Sequence, residues 1–362
     1  MTKMIKLSLV AAVAVAGLST TASAVSLEDA VKNVTVSGQM RLRTESTNTG
    51  ATGASTSTLN DFDTDIKFKN KLSDTNTIVI KVEADSQTGA DASTGGKEAK
   101  LDAVVTNAYL QTKAGSATVL VGRQGVPGPF TDGAAGAGLV ALVPAGPVTV
   151  AAGFFNNTDI AAGLDAAEVA VLGKFGNVAF DVWYANVQVA GTFLSAHANA
   201  KVGPVGIDFR HSTGTAAASG SKTGTLTKVV ASAKAGKIGL VAGLAITGDD
   251  NAVANIAIDG DNDAKTDFKV WQASTGGLNG STAIVLGVNA PIGSAATVGA
   301  TYVTATYDAS ATSEVTVTEI LVDAKYKIAK NVSLSGKYSI LGNDVSGSND
   351  KTKTRIEVKY TF

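Results

Sequence analysis

The chain has 362 residues, 44% of them hydrophobic and 17% charged, with a formal net charge of -1 at pH 7. That composition excludes a disordered polyelectrolyte, and the near-neutral balance gives no electrostatic reason to expect a nucleic-acid partner. Zero cysteines exclude disulfides, thiolate metal sites and cysteine nucleophiles, and only His197 and His211 remain for imidazole chemistry. Most enzyme mechanisms therefore lose their usual residues, and the chain is read as a non-enzyme.

The first predicted element is an export signal at residues 1–24. Lys3 and Lys6 precede an apolar stretch from Leu7 to Leu18, and Ala22-Ser23-Ala24 supplies the small residues of a cleavage site. The apolar stretch is about 12 residues, too short for the roughly 20 of a membrane-crossing helix. Cleavage after Ala24 would leave residues 25–362 as a single domain. A second uncharged run, Gly138 to Phe155, is broken by Pro144, Gly146 and Pro147 and rich in valine and threonine, so it reads as strand, turn and strand.

From there the pattern has a period of two. Val34, Val36, Met40 and Leu42 alternate with Thr35, Ser37, Gln39, Arg41 and Arg43. Phe62, Ile66, Phe68 and Leu72 alternate with Asp61, Asp63, Asp65, Lys67 and Lys69. Strand-like stretches follow at 34–46, 61–72, 76–87, 101–113, 116–124, 138–143, 148–157, 165–174, 177–188 and 192–202. They continue at 205–213, 225–235, 238–248, 282–290, 296–308, 315–328, 331–343 and 352–362. Most run about 9 to 13 residues, the length of a tilted strand crossing a hydrocarbon core rather than the roughly 5 to 6 of soluble proteins. Alternation alone would also suit a soluble sandwich.

The connections decide between the two. Short turns such as Ala114-Gly115, Phe175-Gly176 and Gly203-Pro204 alternate with mostly longer polar loops at 47–60, 88–100, 125–137, 214–224, 249–281 and 344–351. An even number of antiparallel strands with short turns on one side and longer loops on the other is the architecture of an outer-membrane β-barrel. The expectation is thus an all-β transmembrane barrel of eighteen strands, with short periplasmic turns and longer extracellular loops, integral to a bacterial outer membrane. The shortness of 138–143 and a strand-like piece at Phe268 to Ser274 keep sixteen strands open. In the last stretch Ile356, Val358, Tyr360 and Phe362 share one face and Arg355, Glu357 and Lys359 the other. A terminal aromatic with a second two residues earlier resembles the signal that marks such barrels for assembly.

Charges are costly on a lipid-facing wall, by about 2 to 4 kcal/mol at mid-depth, so the charged parity should face the lumen. A barrel of this size is too wide for wall side chains to fill, so an open, charge-lined channel for passive diffusion of ions and small hydrophilic solutes is expected. Arg41, Arg43 and Arg355 should cluster on one wall, because the first and last strands meet on closure. Asp61, Asp63, Asp65 and Glu83 lie on nearby strands, and a field across the pore would orient dipolar solutes. Salt bridges stiffening the wall are the alternative reading of the same residues. Arg123 leads into the glycine-rich segment 125–137, which carries Asp132 and is expected to bend inward as the constriction. The longest loop, 249–281, reads as extracellular. Its Asp259, Asp261 and Asp263 form a weak calcium candidate, because Ala264 and Val270 stand where an EF-hand needs glycine and glutamate. No other cofactor is expected. His197 and His211 show no serine and carboxylate at a telling spacing.

Several of these residues carry a family likeness. Leu27-Glu28-Asp29-Ala30-Val31-Lys32-Asn33-Val34-Thr35-Val36-Ser37-Gly38, followed by Met40-Arg41-Leu42-Arg43, resembles the start of the Campylobacter-type major outer membrane porins. Asn107-Ala108-Tyr109-Leu110, Val121-Gly122-Arg123-Gln124 and the end Val358-Lys359-Tyr360-Thr361-Phe362 are similar to that family as well. The resemblance implies an eighteen-stranded barrel, a homotrimer, diffusion of ions and small hydrophilic solutes, and in the type member a cation preference and a calcium ion near the constriction. Here Asp132 is the only acid in the constriction segment, and aromatics are only 6%. The rival reading is a surface adhesin or structural barrel that binds through its extracellular loops, 249–281 above all.

Overall fold

The computed structural model describes residues 33–50, 56–89, 102–160, 163–248, 264–275, 278–310, 313–345 and 348–362. The predicted signal peptide at 1–24 and the calcium candidates Asp259, Asp261 and Asp263 lie outside the described residues. The described chain is built from eighteen strands. The first nine are β1 (Val34–Asn48), β2 (Thr56–Lys71), β3 (Asn76–Gly89), β4 (Asp102–Ala114), β5 (Ala117–Gly125), β6 (Ala135–Ala145), β7 (Val148–Asn156), β8 (Ala166–Phe175) and β9 (Val178–Val187). The second nine are β10 (Gly191–Val202), β11 (Val205–Ala216), β12 (Thr223–Ala235), β13 (Ile238–Thr247), β14 (Thr282–Ile292), β15 (Ala296–Ser310), β16 (Ser313–Ala329), β17 (Val332–Asn343) and β18 (Lys351–Thr361).

Each strand pairs antiparallel with its sequence neighbours, and β1 pairs with β18, so the sheet closes on itself with no free edge. The seam runs from Gln39↔Thr361 to Asn48↔Thr352. It ends in two reciprocal backbone bonds: Gly38 N–H donates to Phe362 O at 2.9 Å and Phe362 N–H to Gly38 O at 3.0 Å. An added Cβ at Gly38 would lie 2.1 Å from Asp65 O and 2.9 Å from the Phe362 ring, so only glycine fits this corner.

The period of two makes these residues strands, since alternate side chains point to opposite faces of a pleated chain. All eighteen predicted stretches are strands, which removes the sixteen-strand alternative. The short stretch at 138–143 extends to β6, Ala135–Ala145. Phe268 to Ser274 holds only one isolated bridge, Lys269↔Ser274, and adds no strand to the wall. Several short turns place a glycine in the left-handed region, as at Gly176 with φ 58° between β8 and β9.

The two faces differ in kind. Leu42, Leu286, Ile320, Ile356 and Tyr360 project from the outer face and are exposed in the isolated chain. The opposite parity holds the buried polar side chains Asp61, Glu168, Ser195, Arg210, Ser212 and Glu319, which a single-walled ring can cover only from within. The inner face is uneven. Along β6–β10 it forms an apolar cluster with Val140, Ala151, Phe155, Ala170, Trp183, Ala185 and Phe193. Along β16–β18 and β1–β3 it is a ladder of charges.

Candidate pore and its constriction

The charged wall is built by register. Cross-strand neighbours in β1 and β2 put Arg41 opposite Asp63 and Arg43 opposite Asp61, and the β1–β18 seam puts Arg43 opposite Glu357 and Glu45 opposite Arg355. Arg41 Nη2 donates to Asp63 Oδ2 at 2.7 Å and lies 3.6 Å from Asp61. Arg43 meets Glu357 at 3.0 Å and Asp61 at 3.7 Å. Glu45 takes both Arg355, at 2.5 Å, and Lys353, at 2.7 Å. Gln39 Nε2 donates to Asp65 at 2.7 Å, Lys81 lies 3.6 Å from Asp65, and Lys81 also pairs with Glu83.

Arg41, Arg43 and Arg355 thus lie on adjoining strands. The acids Asp61, Asp63 and Asp65 stand beside them in the ladder, as nearby strands led one to expect, and pair with them or with Lys81 as salt bridges along the wall. The side chains of Arg41, Arg43 and Arg355 keep 21%, 19% and 20% of their surface open, which leaves a wetted, interleaved wall.

Arg123 is elsewhere. At the end of β5 it lies 2.5 Å from Asp159, in the connection after β7. Asp159 also accepts the Ala135 N–H at 3.2 Å, so the pair braces the base of the segment between β5 and β6. That segment, 126–134, folds back on the wall. Val126 N–H donates to Ala134 O at 2.8 Å to close its base. Val126, Pro129, Phe130 and Ala134 are buried, and the Phe130 ring packs on Phe193 with centroids 5.9 Å apart. Gly128 has φ 106°, and a Cβ there would lie 3.0 Å from the Trp183 ring. Asp132 remains on the exposed side of the segment.

A second inward segment was not foreseen. Residues 264–275, within the longest loop, also fold into the lumen. Thr266 N–H donates to Pro129 O at 3.3 Å, which joins the two segments. Lys228 on β12 donates to Asp267 O at 2.7 Å, and Gln272 to Ser339 on β17 at 2.6 Å. Glu319 Oε2 on β16 accepts the backbone N–H groups of Trp271, Gln272 and Ala273 at 3.4, 3.0 and 2.8 Å. Trp271 then lies under three cations, 5.8 Å from Lys337, 5.1 Å from Lys353 and 5.3 Å from Arg355. The sequence signal was available, since Phe268, Val270 and Trp271 are large apolar residues inside an otherwise polar loop.

A third cluster, also unforeseen, occupies β9–β11. His197 bonds Asp181 through Nδ1 at 2.7 Å and Asp208 through Nε2 at 2.8 Å. Arg210 lies 3.6 Å from Asp181 and donates to Ser195 Oγ at 2.8 Å. With both ring nitrogens held by carboxylates, His197 has none left to take a proton from a serine. His211 shares its Nδ1 with Thr227 Oγ1 at 2.8 Å, on the outer parity.

A closed eighteen-stranded antiparallel barrel with an apolar outer belt, a charged inner wall and loops turned into the lumen is an outer-membrane porin, integral to that membrane and passing small solutes and ions by diffusion. Residues 2–170 match the family model described as Campylobacter major outer membrane protein, which bears out the resemblance carried by the first strands. No curated protein matches the chain. Among solved structures the barrel is similar to Pseudomonas aeruginosa OccK5 (OpdH), with a TM-score of 0.73 at 13% identity over 91% of this chain and 98% of that one. OccK2 (OpdF) of the same organism gives 0.72 at 14% identity over 91% and 98%. Acinetobacter baumannii OccAB1 gives 0.72 at 13% identity over 90% and 96%. At these identities the likeness is one of fold. The fold is shared with these channel proteins.

Proposed function

We propose that solutes cross this porin through a slot between the inward segments 126–134 and 264–275 and the charged wall of β1–β3, sorted by size and by the orientation of their charges. The observation that carries the reading is the Thr266 to Pro129 bond at 3.3 Å, which joins the two segments inside the barrel while the β1–β3 wall stays wetted. In an eighteen-stranded ring β10 lies opposite β1, so the apolar cluster backs 126–134 on one side, 264–275 is held on β16 and β17, and the charges of β1–β3 line the wall that is left open. Arg41, Arg43, Asp61, Asp63, Asp65 and Glu83 form the filter in this reading; Arg123 and Asp159 hold the base of the first segment, with Asp132 on its open side. Charged rings and ladders of this kind set ion preference without binding any one solute.

The apolar outer belt is taken to contact outer-membrane lipid, residues 1–24 to be a removed leader, and residues 25–362 to form one barrel unit. The homotrimer rests on the family resemblance. Transport by this route calls for no cofactor. The inward course of 264–275 takes part of the longest loop away from the cell surface, which weighs against binding through that loop.

The test is single-channel current of the refolded protein in a planar bilayer under a salt gradient. Stepwise openings, grouped in threes, are expected. A folded protein that conducts nothing would overturn the slot.

A further inference from the structure

Glu319 is completely buried on the inner face of β16, opposite Val303 and Leu341 in the neighbouring strands. One of its oxygens collects three consecutive backbone N–H groups of the 264–275 segment. A carboxylate that accepts several backbone donors in a dry site makes charge-assisted bonds, stronger than neutral ones and specific for one backbone course. Ala273 packs beside it with Val285 and Val303, and Phe268, Val270 and Leu341 complete the patch. Latch and patch together fix residue 271. Its indole lies over Lys337, Lys353 and Arg355, and only 8% of Trp271 is exposed. Of these cations Lys353 and Arg355 share Glu45, while Lys337 meets the indole.

We propose that Glu319 is a positioning residue for the pore: it holds Trp271 over Lys337, Lys353 and Arg355, and so screens the side of these three cations that the indole covers from passing solutes. This goes beyond the slot by assigning its charge preference to one buried latch that touches no solute. Trp271 narrows the lumen and shields positive charge in a single contact, so losing the latch should widen the channel and turn it toward anions together.

The experiment compares Glu319→Ala, Glu319→Gln and Trp271→Ala with the wild-type porin, after heat-modifiable migration on gels has shown each barrel to be closed. Unitary conductance and reversal potential in a salt gradient are the readouts. Trp271→Ala leaves every wall charge in place, so a shift toward anion preference in that variant reports uncovered cations and nothing else. Glu319→Ala should reproduce it, with a roughly twofold rise in conductance, and the double variant should add little to either single one. Glu319→Gln keeps an oxygen acceptor and should fall between. Closed barrels of Glu319→Ala or Trp271→Ala with wild-type conductance and reversal potential would overturn the assignment. Wild-type channels that conduct while these variants do not differ from them would sink the latch alone; silent wild-type channels would sink the slot.

Discussion

The two sides of the lumen are built on opposite principles. Around β6–β10 the inner face is dry and packed: Phe130, Phe155 and Ile160 are fully buried, small alanines make room for them, and Gly128 rests on Trp183. Around β16–β18 and β1–β3 the inner face is wet, and every arginine meets a carboxylate across a strand seam. Two acids show the contrast. Glu168, on the inner parity of β8 between Ala166 and Ala170, is 3% exposed and neither of its oxygens meets a donor. Glu45, on the wet side, is shared by Lys353 and Arg355. Half of the interior thus behaves as the core of a folded domain and half as the lining of a channel, and a mutation should register as stability on one side and as permeation on the other.

The sharpest way to break that division is Phe130→Ala. Truncating a fully buried aromatic ring costs about 3 to 5 kcal/mol where the cavity cannot collapse. A lower midpoint in denaturant unfolding is expected, with a larger conductance as the 126–134 segment loosens. An unchanged midpoint would mean that the segment is not part of the core. Glu168→Leu comes next and has the opposite sign. Replacing a buried acid that has no partner by an apolar side chain of similar size should stabilise by about 1 to 3 kcal/mol, read in the same unfolding curve, while reversal potential stays put. On the wet side, Arg43→Ala should change stability by about 1 kcal/mol or less, since paired charges open to water contribute little. Its effect belongs in the reversal potential, which should move toward cation preference once Asp61 and Glu357 lose a partner. A large stability loss with unchanged selectivity would reverse the roles of the two sides.

Much of this was legible in the sequence. Val34, Val36, Met40 and Leu42 against Arg41 and Arg43 give the period and the faces of β1, and the same rhythm finds every strand because a one-residue slip would turn each apolar side chain inward. The glycines and prolines of 125–137 marked a segment able to fold back. What was hidden depends on neighbours far away in the chain. Alternation says that Arg43 faces the lumen, but only register shows Asp61 and Glu357 beside it, which is why a field across the pore and salt bridges along the wall both stayed open for these charges. It gives the face of Glu319 and Glu168 but not what covers them, and the cover of one comes from a loop nearly 50 residues distant. Segment 264–275 has no regular period, so its inward course could be suspected only from Phe268 and Trp271.

The reciprocal bonds between Gly38 and Phe362 also bear on how the molecule comes into being. A sheet whose strands β1 and β18 are its own closing pair has two raw edges until they meet, and those edges are about as far apart in the chain as any two of its strands. Long-range pairing of this kind is slow, because the loop it closes is nearly the whole polypeptide. Until then the curled sheet offers β1 and β18 to any partner strand, including that of another copy. Joining Gly38 to Phe362 therefore removes both exposed edges in the same step that completes the wall.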